Sequence, residues 1–368
     1  MANKDHLVIL LQGEWNQWRR QNFNLNPDLR NADLRNADLG DIDLNYANLS
    51  DAKLSYADLT YAFLNYTDLR NANLSNAYLN CADLCSADIR EADLSNAKLC
   101  NAALFNADLR KTNFSGANLS NANLRSADLR EANFTNAKLS NADLSNAKLS
   151  NVNLSNADLH NAKLDSAYLD SANMRGADLS DADLRKAHLR DADLSKTDLR
   201  EADLREAHLQ NANLSNADLR NANLSNADLS CVKLANADIY SANLSNVDLR
   251  NADLSNADVS RTYIYNANIS NANLCNADFR KADLRNANLS NAILLNTDLR
   301  TTKEITLEQL AGEEPPLICN SPLPNGIEID INRDRYKLAT VLYKRYPYSF
   351  KNMDTAEEFI NEQRQKKW

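Results

Sequence analysis

The chain contains 368 residues and carries a formal net charge of −9 at pH 7, with its six cysteines scattered along the sequence. The acidic balance argues against direct binding to nucleic acid, whose phosphates attract basic surfaces, and no stretch is apolar enough to span a membrane as a helix. The N-terminus lacks a basic run followed by an apolar core, so we expect no signal peptide and a cytoplasmic protein with free thiols.

Residues 1–26 are predicted to form an N-terminal cap helix. Between residues 5 and 22, large apolar residues recur at helical spacing: Leu7, Leu10, Leu11, Trp15 and Trp18. We expect one short amphipathic helix whose two tryptophans pack on the first coil of the repeat that follows. A cover is required there if that repeat is a β-solenoid, because an open end exposes unpaired backbone groups and invites aggregation.

A five-residue repeat occupies residues 27–300, with its central residue at 29, 34, 39 and so on to 299. The central residue is nearly always Leu and the residue two positions earlier is mostly Ala, over about 55 units without insertion or deletion. The three other positions accept Asp, Asn, Ser, Arg, Lys and Tyr. Two restricted positions and three tolerant ones indicate two side chains inside and three outside.

A period of five fits neither regular secondary structure. In an α-helix a step of five rotates the side chain by about 140°, so the leucines would spread around every side. In a strand an odd step would move successive leucines to opposite faces. The conflict disappears if each Ala-x-Leu segment is a short strand with Ala and Leu inward, and the next two residues turn the chain. A chain that keeps turning with one face inside is an all-β solenoid.

The motif A(D/N)LXX resembles the pentapeptide-repeat family, and the match covers about three quarters of the chain. The resemblance implies a right-handed, four-sided (quadrilateral) β-helix with one pentapeptide per side, hence about 14 coils and a length of about 65 Å. The turning argument alone does not fix the number of sides. A lag of 20 in outward residues, as in Tyr46/Tyr66 and Arg70/Arg90, agrees with four. The Trp-bearing leader and the LTxEQL-like closing segment resemble the ends of cyanobacterial members.

Residues 301–326 are predicted to contain a C-terminal cap helix followed by a Pro-rich linker. Thr306 and Gln309 fit a capping box at the start of a helix, and Leu307 and Leu310 could close the far end of the solenoid. The stretch EEPPLICNSPLPNG follows.

Residues 327–368 are expected to form a small α/β appendage. The segment IEIDI at 327–331 predicts a strand, and helices are predicted over 332–346 and 354–366. Asp354 and Glu357 fit a capping box for the second helix.

The repeat contains no motif that carries chemistry. It has no Gly-rich phosphate loop, nucleophile elbow or HExxH sequence, and a solenoid filled by its own leucines offers no cleft for a preorganised site. Cys81, Cys85 and Cys100 fall in neighbouring coils, but they lack the four ligands at motif spacing that zinc requires. We therefore predict that the protein is not an enzyme and holds neither a cofactor nor a metal.

Six aromatic residues crowd outward positions of the N-terminal coils, where the rest of the repeat has Asn, Ser or charged residues: Tyr46, Tyr56, Tyr61, Phe63, Tyr66 and Tyr78. Acidic residues surround them: Asp28, Asp33, Asp38, Asp41, Asp43 and Asp51. Exposed aromatic clusters commonly mark protein interfaces, which predicts an interaction surface for a partner with a basic face. An aromatic ladder that only stabilises the coils is the alternative, and both interpretations stay open.

The sequence favours a non-catalytic structural or protein-interaction scaffold with a protein partner that it does not identify. A homodimer through an end cap or the C-terminal tail is also compatible with it. The alternative is a DNA-mimicking protein that binds or protects a type II topoisomerase, as some acidic members of the family do. Residues 27–300 contain 28 Lys/Arg and 37 Asp/Glu, about one net charge per 7 Å against about one per 1.7 Å in B-DNA. The charge is about fourfold too dilute for that mimicry.

Overall fold

The computed structural model describes residues 3–365, which divide into two units: the N-terminal unit, Met1–Asp193, and the C-terminal unit, Leu194–Trp368. The N-terminal unit begins with two helices: α1 (Lys4–Leu11) and α2 (Trp15–Gln21). The C-terminal unit ends with five elements: β1 (Ile293–Leu295), α3 (Leu307–Ala311), β2 (Leu317–Cys319), α4 (Arg335–Arg345) and α5 (Met353–Gln363). Among the described residues, no helix is long and apolar enough to cross a bilayer.

The pentapeptide AFLNY at 62–66 shows the geometry of one repeat. Its Ala and Leu are buried, and Phe63 between them bridges in parallel to Asp43 and Asp83, 20 residues earlier and later. The last two residues turn the chain. Bridged partners lie 20 residues apart in both units, so four pentapeptides complete one coil and each coil has four sides. Each expected three-residue strand is reduced to a single bridged residue, because the turn begins directly after Leu.

The second corner residue has a left-handed backbone conformation throughout the repeat. Where it is not glycine, its φ lies between +53° at Asp41 and +64° at Lys281. Asn tolerates this region better than most residues because its short polar side chain can hydrogen-bond locally, which explains why Asn is so common there. The corner is also hydrogen-bonded: the Tyr66 amide donates to the Cys85 carbonyl at 3.1 Å.

The core of each unit is built from the inward Ala and Leu side chains. In the N-terminal unit, Phe114 and Phe134 replace two leucines and stack with ring centroids 4.7 Å apart. Threonines that replace Ala keep their hydroxyls bonded, as Thr112 does by donating to the Ile89 carbonyl at 2.8 Å. The interior therefore gains apolar burial without leaving these polar groups unpaired.

Side chains of α2 cover an edge of the first coil. Trp15 is 2% exposed, and its Nε1 donates to the Asp43 carbonyl at 2.7 Å. Arg19 is 3% exposed and donates to the carbonyls of Leu25 and Asn45 at 2.8 and 3.1 Å. In the described part of the chain no earlier coil bonds the carbonyls of Asp43 and Asn45, so α2 supplies the donors that these carbonyls require.

The helical leader differs from the single helix that the sequence predicts. It is broken between α1 and α2 by a turn in which Gly13 has φ +77°. Trp18 packs against Trp15 with its ring tilted by 39° and the ring centroids 5.1 Å apart. Leu11, expected on the packed face, is 64% exposed because it is the last residue of α1.

At the C-terminal end, β2 takes the place of one more side of a coil. It pairs in parallel with β1, with Ile293 opposite Leu317 and Leu295 opposite Cys319. The strand predicted at 327–331 is absent. A strand forms instead at Leu317–Cys319, earlier in the sequence. This segment pairs with the open edge of β1 and is largely buried there.

The helix α3 begins with the predicted capping box of Thr306 and Gln309. Nε2 of Gln309 also donates to the carbonyls of Leu284 and Ala287, each at 2.8 Å. This side chain therefore ties α3 to the last part of the repeat.

The two terminal helices pack on the repeat. One cluster contains buried residues of both: Cys275, Ile293, Leu295, Cys319, Leu338, Ala339, Leu342, Ala356 and Ile360. At the start of α5, Asn352 and Thr355 form the capping box in place of the expected pair Asp354 and Glu357.

Candidate protein-interaction surface

The six predicted aromatic residues lie on two adjacent sides of the N-terminal coils and on the corners that border them. One side is the bridged column Asp38–Asp58–Tyr78, and the next is Asp43–Phe63–Asp83. Tyr61 occupies the corner between these sides, because it falls between them along the chain. Tyr56 lies at the corner that enters the first side, and Tyr46 and Tyr66 lie at the corner that leaves the second. We call these six residues the aromatic patch.

All residues of the aromatic patch are about half exposed. Their exposed fractions run from 46% at Tyr78 to 58% at Tyr66. Each ring therefore keeps one face or edge available to another molecule. Tyr and Phe offer a large contact area with few rotatable bonds, which is why such residues are enriched at protein interfaces.

A stabilising ladder accounts for only one pair in the patch. Tyr46 and Tyr66 stack with ring centroids 5.0 Å apart and planes 4° apart. Among the described residues, no ring stacks on Tyr56, Tyr61, Phe63 or Tyr78. An aromatic pair contributes about 0.5–1.5 kcal/mol beyond its burial, so the four unstacked rings lack this contribution.

The backbone at four of the tyrosines is unfavourable for a bulky residue. Tyr46, Tyr56, Tyr61 and Tyr66 all occupy the second corner position and have φ between +58° and +61°. A large side chain in the left-handed region costs about 1 kcal/mol, and Asn costs less. Tyr therefore reduces folding stability at a position where Asn is common. A loss of stability at an exposed position is compatible with a functional role, because activity and stability often trade off.

We expect the replacement Tyr61→Asn to stabilise the N-terminal unit by about 1 kcal/mol, because it removes left-handed strain without removing a ring contact. The measurement is the urea or thermal midpoint followed by circular dichroism. Tyr66→Asn is the matched control: it relieves the same strain but loses the stack with Tyr46, so its midpoint should change little. A lower midpoint for Tyr61→Asn would show that the ring stabilises the coil.

Carboxylates interleave with the rings of the patch. The two sides and the corner between them carry five aspartates: Asp38, Asp41, Asp43, Asp58 and Asp83. Sequence analysis missed Asp58 and Asp83. Their signal is present in the sequence, since neither is followed by Arg two residues later.

Two of the predicted acidic residues are neutralised instead. Arg30 binds Asp28 at 2.8 Å and Arg35 binds Asp33 at 2.6 Å. Each arginine donates hydrogen bonds to its aspartate and lowers the pKa of that carboxyl to about 2. Asp51 lies on a corner outside the two sides of the patch.

The negative charges of the aspartates in the patch are less fully neutralised by basic residues. Among the described residues, Asp38, Asp41, Asp58 and Asp83 have no ion pair. Asp43 lies 3.7 Å from Nε of the buried Arg19. The patch therefore keeps a negative potential that the Asp28 and Asp33 region does not.

A second charged surface of the N-terminal unit is internally paired. Arginines 70, 90, 110 and 130 each bind the aspartate two residues earlier at 2.6 Å. Nε of Arg90 also lies 3.5 Å from Asp108 in the next coil. Such pairing cancels most of the charge that a mimic of the DNA backbone would need.

The described residues contain no group of three metal-ligating side chains. A groove of about 760 Å³ in the C-terminal unit is lined mainly by residues 285–290 and 304–315, with four glutamates and a single arginine. Its lining includes neither His nor Cys.

Comparison with known proteins identifies the repeat. The family model described as pentapeptide repeats matches in overlapping segments that run from residue 32 to residue 303. A search of curated proteins found no match.

Several solved structures are similar to this chain. HetL, a pentapeptide repeat protein involved in heterocyst differentiation regulation from the cyanobacterium Nostoc sp. Strain PCC 7120, is 33% identical over 63% of this chain and 89% of its own, with a TM-score of 0.21. Rfr23 from the cyanobacterium Cyanothece 51142 is 41% identical over 24% of this chain and 59% of its own, with a TM-score of 0.23. QnrB1, a plasmid-mediated fluoroquinolone resistance protein, is 20% identical over 57% of this chain and 93% of its own, with a TM-score of 0.34. The TM-scores are low, so the likeness to HetL and Rfr23 is carried by sequence.

Proposed function

This chain belongs to the pentapeptide-repeat family, whose fold is a right-handed β-helix, and from that premise we propose that it is a non-catalytic scaffold that binds another protein through the aromatic patch. The observation that carries the proposal is the set of half-exposed tyrosines held in the left-handed region. Such residues lower stability where Asn is the usual choice, so binding gives a reason for them that folding does not.

The domain plan that we propose follows the same premise. Residues 1–26 cap the first coil, residues 27–300 form about 14 coils, residues 301–326 close the far end, and residues 327–368 form a tail. The hydrogen bonds from α2 to the first coil support the first assignment. The shared core of the terminal helices with Ile293 and Leu295 supports the view that the tail helps to close the solenoid.

We propose that the protein is cytoplasmic, because its cysteines are free thiols. All six cysteines are free. Burial raises the pKa of Cys85 to about 11 and that of Cys275 to about 12, which keeps both as unreactive thiols. Free structural thiols are typical of a reducing compartment.

DNA mimicry with binding to a type II topoisomerase remains the second candidate, and the charge distribution argues against it. The arginines at 70, 90, 110 and 130 hold the neighbouring carboxylates in ion pairs. B-DNA presents an unbroken series of phosphates about 1.7 Å apart along its axis. A surface of alternating Arg and Asp does not reproduce that field.

Site-specific photo-crosslinking in cells tests the scaffold proposal. A photoreactive phenylalanine analogue at Phe63 should yield a discrete adduct with one other protein, because the ring lies at the centre of the patch. The matched control carries the analogue at Lys163, an exposed residue on the same side of later coils. Identical products from both positions, or an adduct only with a second copy of this chain, would contradict the proposal.

A further inference from the structure

We propose that the partner docks on the aromatic patch with arginine side chains, so that guanidinium groups lie on the tyrosine and phenylalanine rings and bond to the neighbouring aspartates. This inference rests on the proposed function and specifies the chemistry of the partner. It follows from the charge of the patch, from the spacing of its rings and carboxylates, and from an arrangement found elsewhere in the chain.

The patch presents only negative charge. Three successive coils contribute residues 36–47, 56–67 and 76–87 to its two sides and corners, and these segments contain five aspartates and neither Lys nor Arg. Two basic residues border the patch: Lys98 of the next coil, which bridges to Tyr78 at its edge, and Arg19 of α2, which is buried and bonded to backbone carbonyls. A complementary partner must therefore bring positive charge, which would also speed its approach.

On each side a ring lies beside a carboxylate at the spacing of the coils. Phe63 bridges to Asp43 on one side and Asp83 on the other, and Tyr78 bridges to Asp58. Neighbouring bridged strands lie about 4.8 Å apart, while a cation binds over a ring within about 6 Å of its centroid. One guanidinium can therefore lie over a ring and reach the adjacent carboxylate.

The C-terminal unit contains this arrangement within the chain. Arg285 lies 5.5 Å from the centre of the Tyr265 ring, and the same guanidinium donates to Asp283 at 2.6 Å. Here Tyr, Asp and Arg form one set. The aromatic patch also has tyrosines beside aspartates and no Arg among its own residues, but its corner tyrosines occupy the second corner residue, whereas Tyr265 occupies the first.

Arginine suits the patch better than lysine does. Its planar guanidinium stacks on a ring while its N–H groups bond a carboxylate in a fixed fork. The ammonium of lysine is a strongly hydrated point charge that cannot make both contacts in one plane. The patch should therefore bind an arginine-rich partner more tightly than a lysine-rich partner of equal charge.

Fluorescence anisotropy with two labelled peptides tests the inference. One peptide alternates arginine with serine, and the other replaces every arginine with lysine. The wild-type full chain should bind the arginine peptide about tenfold more tightly than the lysine peptide, as expected from two or more stacked cations. Raising the salt should weaken both, because the carboxylates are exposed.

Two pairs of variants locate the binding. Tyr61→Asn with Phe63→Asn should remove the preference for arginine, and Asp38→Asn with Asp58→Asn should weaken both peptides. The matched control is Asp158→Asn with Asp178→Asn, which removes the same charge from the same side of later coils. Asn keeps the side-chain oxygen that accepts from the amide two residues on, as Asp38 and Asp158 both do.

Equal affinity for the two peptides, or an equal loss in the control variant, would overturn the inference. If Phe63 crosslinks to a partner while the peptides are not distinguished, the arginine inference is wrong and the scaffold proposal stands. If the peptides are distinguished while Phe63 gives no specific adduct, the scaffold proposal is wrong. Melting curves of each variant show whether a loss of binding reflects a loss of folding.

Discussion

Leu164→Asp should lower the free energy of unfolding of the N-terminal unit by more than about 5 kcal/mol, enough to unfold it. Leu164 is fully buried, and removing a buried leucine side chain costs about 2–5 kcal/mol. The carboxylate that replaces it has no partner in an interior of Ala and Leu, which adds several kcal/mol. Coils contact only their neighbours, so one defective coil breaks the stack. Circular dichroism during thermal and urea unfolding measures the effect.

The neighbouring residue provides the matched control. Lys163 is exposed and occupies the bridged position between Ala162 and Leu164, where Asn is common. Lys163→Asn should change the free energy of unfolding by less than about 0.5 kcal/mol. Similar losses from Leu164→Asp and Lys163→Asn would show that the assignment of inward and outward positions is wrong.

The inward and outward positions were predictable because the five-residue period fits a short Ala-x-Leu strand followed by a turn, and fits neither a helix nor a continuous strand. A residue two positions before each Leu must share its side of the strand, and the restricted Ala at that position agrees with a crowded interior. The number of sides came from family resemblance and from the lag of 20. The left-handed corner was not predicted, although the frequency of Asn at that position was a usable signal.

The C-terminal end was less predictable because its pairing is between distant segments. The strand β2 depends on the open edge of β1, which no local pattern in IEIDI or PPLIC reveals. A signal was nevertheless present in β1. Ile293 and Leu295 occupy outward positions that are usually polar, and an apolar residue there indicates that another element covers it.

In the candidate surface, the position of a residue in the pentapeptide predicted whether its side chain is exposed. The same position did not predict whether an aspartate is paired with an arginine. Asp28 and Asp33 are each followed two residues later by Arg, and both are paired. Asp38 and Asp58 are followed two residues later by Gly40 and Thr60. Their carboxylates accept hydrogen bonds from the backbone amides of these two residues and have no arginine partner among the described residues. The spacing Asp-x-Arg would have separated the neutralised aspartates from those that keep the patch negative.

The triple variant Tyr56→Asn, Tyr61→Asn and Phe63→Asn should lose its protein partner while folding at least as well as the wild type. None of these three rings stacks on another ring in the described part of the chain, and two of them carry left-handed strain. Aromatic anchors at the centre of an interface contribute about 2 kcal/mol or more each. Removing three should reduce recovery of the partner by far more than tenfold, as expected from about 1.4 kcal/mol per factor of ten.

The most direct test is recovery of the Phe63-crosslinked protein from a native extract by immobilised wild-type chain and by the triple variant, with the melting midpoint of each recorded. The proposed binding surface predicts a midpoint equal to or above that of the wild type and almost complete loss of the partner. A variant that melts at a lower temperature and still recovers the partner in full would contradict it, because the rings would then serve the stability of the coils alone.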